Sequence, residues 1–77
     1  MKANLKIETN QILGKDNKMR IVLEEGQKRV SFNLNSYTYN QIALRLIKAA
    51  NIEVAKNLIL DNGGEYHIEE TIDISRL

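Results

Sequence analysis

Residues 52–61 read IEVAKNLILD, and the fold turns on which of two periods they obey. As a strand, Ile52, Val54, Leu58 and Leu60 share a face on which only Lys56 intrudes. As a helix, Ile52, Val54, Ala55, Leu58 and Ile59 share one side, and Leu60 is the misfit. So short a run does not let periodicity decide between helix and strand. The Asp61-Asn62-Gly63-Gly64 that follows suits both readings, because it serves equally as a hairpin loop and as a helix stop.

On either side of this stretch the patterns are plainer. Downstream, Tyr66, Ile68, Ile72 and Ile74 alternate with His67, Glu69, Thr71, Asp73 and Ser75, which predicts a strand over 65–74. Upstream, Tyr39, Ile42, Ala43, Leu46, Ile47, Ala49 and Ala50 fall on one broad face of a 100° wheel. Asn40, Gln41, Arg45 and Lys48 lie opposite, with Leu44 among them. This predicts an amphipathic helix over 36–50, capped by Asn35 or Ser36 and stopped at Asn51. Its apolar face is wide enough for a sheet, or for a sheet and a second subunit.

Before the helix, Val30, Phe32 and Leu34 alternate with Arg29, Ser31 and Asn33, predicting a strand over 28–34. Met19, Ile21 and Leu23 do the same over 18–24, with Val22 as the misfit. Glu25-Gly26 can close a tight hairpin between these two strands. Gly14-Lys15-Asp16-Asn17 reads as a turn, and a further alternating strand precedes it over 3–8. The class is α+β: N-terminal antiparallel strands, a central helix over 36–50, the ambiguous 52–61 and a C-terminal strand.

The chain has 77 residues, no proline and no internal repeat, so a single domain over 1–77 is expected. A core this small commonly needs reinforcement. Without cysteine there is neither a disulfide nor a thiolate metal site, and the one histidine makes an imidazole-rich metal site a poor fit. Self-association, as a homodimer, is then the expected reinforcement. MKANLKIETN lacks the apolar core of a signal peptide, and no apolar run approaches the roughly 20 residues of a membrane span. A soluble cytoplasmic protein without membrane contact is expected.

Net charge is +1, well short of the basic balance of an overt nucleic-acid binder. The distribution is uneven. Residues 1–35 hold Lys2, Lys6, Lys15, Lys18, Arg20, Lys28 and Arg29 against Glu8, Asp16, Glu24 and Glu25. Residues 61–77 hold only Arg76 against Asp61, Glu65, Glu69, Glu70 and Asp73.

Groups for catalysis are scarce. His67 is the only histidine and sits on the polar side of its strand, so it is expected at the surface rather than beside a nucleophile. Glu69 and Glu70 are adjacent, which in a strand sends them to opposite faces and denies them a shared acid–base role. No phosphate-cradling pattern surrounds Gly63-Gly64. Tyr37 is expected at the surface and Tyr39 in the core. No catalytic residue, cofactor or metal is expected, and the protein is read as a non-enzyme.

From Lys28 to Leu60 the order strand, helix, short turn and second helix resembles the ribbon-helix-helix family of bacterial, phage and plasmid repressors. In this likeness RVSFNL is the strand, SYTYNQIALRLIKAA the first helix, Asn51 the turn and IEVAKNLIL the second helix. The resemblance covers about residues 28–61. It implies a homodimer whose paired strands form a ribbon in the major groove of DNA. Val30, Phe32 and Leu34 would then face the core, while Arg29, Ser31, Asn33 and Asn35 would meet bases, types suited to that task. Lys28 would join Arg29 on phosphates, and backbone amides from Asn51 to Glu53 would clamp another phosphate. The alternative is an α+β protein-binding module, an accessory or inhibitor of a phage or mobile element, contacting its partner through sheet edges and the acidic tail.

Overall fold

The computed structural model describes residues 4–14 and 16–71, with side chains through residue 68. The element order is β1 (Lys6–Gln11), β2 (Lys18–Glu25), β3 (Lys28–Asn35), α1 (Ser36–Ile47), α2 (Ile52–Asp61) and β4 (Glu65–Thr71). The strands form one antiparallel sheet in the order β1-β2-β3-β4, and the two helices cover one of its faces. The expected α+β class holds.

The ambiguous stretch is helix. Both of its ends are closed by bonds that only a helix would use. At the start, Asn51 is extended and its Oδ1 accepts from the Val54 amide at 3.0 Å, satisfying a donor the first turn leaves free. At the end, Gly63 takes a left-handed φ of 93°, the Gly64 amide donates to the Ile59 carbonyl at 2.9 Å, and the Gly63 amide donates to Leu60 at 3.2 Å. This pair of bonds is the Schellman stop. Asn62 adds a side-chain bond from Nδ2 to the Leu58 carbonyl at 2.8 Å. The buried positions are Ile52, Ala55 and Ile59, a helical spacing, while Val54 is left half exposed.

The bounds of β1 and α1 differ from expectation, and β2 and β3 each run one residue further, to Glu25 and Asn35. β1 runs over Lys6–Gln11 rather than 3–8, because its ladder with β2 continues until Gln11 meets Met19; residues 1–3 lie outside the described ones. α1 ends at Ile47 instead of residue 50: Lys48 is its C-cap, and Ala49 and Ala50 fall in the connection to α2. β4 is described to Thr71, and the rest of the expected strand over 65–74 lies outside the described residues. The Gly26-Gln27 turn between β2 and β3 has positive φ only at Gly26, the pattern of a type II′ hairpin.

Ile21 and Leu23 of β2 and Val30, Phe32 and Leu34 of β3 point toward the helices. They meet Ile42 and Leu46 of α1 and Ile52, Ala55 and Ile59 of α2, all almost fully buried. Leu5, Ile7, Met19, Tyr39 and Leu58 pack around this core. The Asn17 carbonyl, in a left-handed residue of the β1–β2 loop, accepts from the Ser36 amide at 2.7 Å and ties that loop to the start of α1. β4 makes a β-bulge opposite Ser31, so that Phe32 pairs with Tyr66 and Ser31 with Ile68. The Phe32 and Tyr66 rings then lie 5.0 Å apart, and Lys56 Nζ sits 5.6 Å from the Tyr66 ring centre.

Gly64 tests the stop of α2 directly. A Cβ there would overlap the side chain and carbonyl of Ile59, which is fully buried and cannot retreat. Gly64→Ala is expected to cost about 1–3 kcal/mol as an overpacked site. Gly63→Ala is expected to cost about 1–2 kcal/mol for an L-residue held left-handed. Urea unfolding followed by circular dichroism measures both, and parental midpoints would mean that the turn is looser than described.

Candidate functional site

Two surfaces gather the candidate contact residues: the sheet face away from the helices, and the outer face of α1. On the sheet, strand alternation and pairing decide which side chains meet. Arg29, Ser31 and Asn33 of β3 share the open face, as the sequence led one to expect. The β2 register sets Arg20 across from Asn33 and Val22 across from Ser31, with Lys18 further along. From β4 come Ile68 opposite Ser31 and Glu65 opposite Asn33. His67, next to Ile68 at the bulge, lines the same face.

Arg20 is the centre of this surface. Its Nη2 donates to His67 Nε2 at 3.0 Å, passing over β3 to reach β4. A guanidinium only donates, so Nε2 must accept and the ring proton must sit on Nδ1. Arg20 lines a depression of about 170 Å³ with Val22, Arg29, Ser31, His67 and Ile68. It also lines a neighbouring one of about 350 Å³ with Ile12, Lys18, Asn33, Glu65 and His67. The Asn33 Oδ1 is buried and accepts no hydrogen bond among the described residues. Glu8 and Glu24 stand on the same face, across from Val22 and Arg29, so its charge is mixed.

The other expected DNA contacts are used elsewhere. Asn35 is the N-cap of α1, its Oδ1 accepting from the Tyr37 amide at 2.9 Å. Asn51 caps α2. Lys28 turns to the helix side, where its Nζ meets Glu53 Oε1 at 3.2 Å, and Lys56 approaches the other oxygen of Glu53 at 3.8 Å. The start of α2, expected to hold a phosphate, is faced by carboxylates: Glu25 Oε1 accepts from the Ile52 amide at 3.4 Å, and Glu53 stands in the first turn. These oxygens occupy or repel what an anion would need. β3 is also paired on both edges, so joining it to a second copy would displace β2 or β4.

On the outer face of α1, Tyr37 and Leu44 are exposed as the sequence led one to expect, and Ile47 departs from it. Tyr37, Leu44 and Ile47 are 71, 73 and 68% exposed. The wheel placed Ile47 on the covered side. Because the helix ends at that residue, Ile47 instead lies at its margin, and only Ile42 and Leu46 are fully covered. Leu44 on the polar side of the wheel was the signal available in the sequence. Arg20 and His67 were also on polar faces of their strands, but only the pairing of β2 and β4 around β3 brings them together.

Among the described residues, no three of His, Asp and Glu cluster as metal ligands, and no helix is long and apolar enough to cross a membrane. Comparisons with protein-family models, curated proteins and solved structures return no match.

The Glu53 pair offers a pH test. The hydrogen bond from Lys28 holds the Glu53 carboxyl below the usual carboxylate range, with the charges of Lys28 and Lys56 adding to the effect. A carboxylate whose pKa falls on folding stabilises above its unfolded value and loses that contribution as pH drops through the folded value. The urea midpoint of Glu53→Gln should therefore lie slightly below the parent's at neutral pH, and the difference should vanish in acid. Equal midpoints at neutral pH would show the exposed pair to be energetically silent.

Proposed function

We propose that the protein is a non-catalytic module that acts by contact with another protein. The observation that carries this reading is the outer face of α1. Three large apolar side chains stand in water on a helix whose inner face already has a full core to cover. Single exposed hydrophobics are ordinary, but several aligned on one face of a helix mark an interaction surface. On a helix, residues 37, 44 and 47 form one stripe, with Asn40 between the first two.

A photo-cross-linking residue at position 44, introduced in the native host, tests the reading. The expected result is one discrete protein adduct that disappears when Ile47→Asp is added. A probe that captures nothing above the background of the same probe at position 10, on β1, would overturn it.

A second reading, binding of DNA, is supported by the shared placement of Arg29, Ser31 and Asn33 beside Lys18 and Arg20. Four strands about 4.8 Å apart make a face wider than the roughly 12 Å major groove, so contact would lie across phosphates rather than as an inserted ribbon. Affinity would then come from the cations and fall with salt. Arg29→Ala with Asn33→Ala is expected to abolish retardation of duplex DNA. Its thermal unfolding should stay near the parent's, since the Asn33 Oδ1 makes no bond among the described residues. Unchanged retardation would remove these residues as DNA contacts.

A further inference from the structure

We propose that the outer face of α1 docks an acidic amphipathic segment of its protein partner. This rests on the protein-contact reading and adds the chemistry of what is bound. The stripe of Tyr37, Leu44 and Ile47 spans about 15 Å of helix, enough for about two turns of a partner carrying apolar residues at i, i+3 and i+7. The surroundings of the stripe set the charge of that partner. Arg45 and Lys48 are exposed at the same end as Leu44 and Ile47. From Ser36 to Ile52 the chain contains no carboxylate, while it holds Arg45 and Lys48.

The carboxylates at the start of α2 are engaged, Glu53 with Lys28 and Lys56 and Glu25 with the Ile52 amide. Among the described residues neither Arg45 nor Lys48 forms an ion pair, and acidic residues flanking an apolar stripe complement such cations. A second copy of α1 fits less well, since it would bring two more cations and no carboxylate to the interface. A lipid surface also fits less well: electrostatic capture by anionic lipid uses clusters of about four to eight cations, and α1 with its cap supplies Arg45 and Lys48.

The test uses the full chain, isotope-labelled for NMR, and two synthetic amphipathic helical peptides. They share a leucine stripe and differ in having glutamates or lysines on either side of it. The glutamate peptide is expected to shift the amide resonances of residues 37–48. Its affinity should fall as salt is raised, and should drop about tenfold in Arg45→Glu/Lys48→Glu. Leu44→Glu, at an exposed position, should keep the parental thermal midpoint and lose binding.

Equal binding of the lysine peptide would overturn the acidic class while leaving protein contact in place. Self-association that Leu44→Glu abolishes would make a second copy the occupant and overturn the acidic partner. Binding of α1 to phosphatidylglycerol vesicles, with neither peptide bound, would overturn both this inference and the protein-contact reading. So would the absence of peptide shifts, self-association and vesicle binding together.

Discussion

The 2.9 Å bond from the Gly64 amide to the Ile59 carbonyl ends α2 and turns the chain back toward the sheet. Gly63 supplies the left-handed φ that the turn needs, and Gly64 leaves room for the backbone to pass Ile59. β4 can then lie antiparallel to β3, closing the edge that β3 would otherwise present. The Phe32–Tyr66 ring contact and the Arg20–His67 bond both depend on that return. Without it, residues 28–61 would be a strand and two helices with a free strand edge, the arrangement that the ribbon-helix-helix likeness describes.

The polar residues divide by what the backbone asks of them. Helix starts leave amide donors unpaired, and Asn35, Asn51 and Glu25 fill that need. Lys28 is drawn to Glu53, on the helix side of the sheet. The open face keeps the outward set of β3 with Arg20, Lys18 and His67 from its neighbours, among the carboxylates of Glu8, Glu24 and Glu65. A residue type suited to nucleic acid is equally suited to capping a helix, and only its position in the fold separates the two uses.

The two helices contribute unequally to the core. α2 presents Ile52, Ala55 and Ile59 inward, and the small Ala55 allows it to sit close to the sheet. α1 buries only Ile42 and Leu46 completely and holds Tyr39 at the margin. The apolar residues of α1 therefore exceed what the sheet can cover, and the surplus lies in solvent along one stripe.

The sequence by itself determined the elements with an unbroken pattern. The alternation of Val30, Phe32 and Leu34, the hairpin at Gly26 and the helical face of Ile42 and Leu46 are local, and neighbouring side chains along the chain suffice to specify them. It also placed Arg29, Ser31 and Asn33 on one side of a strand, because a strand's period admits no other arrangement. The tertiary structure alone decided the state of residues 52–61, since both periods were satisfied and the choice rested on which face the β2–β3 sheet could cover. It likewise decided that Asn51 caps a second helix instead of only stopping the first, that Lys28 is committed to Glu53, and that Arg20 meets His67. These outcomes join residues distant in sequence or turn on where a helix begins and ends, and the packing against the sheet sets both.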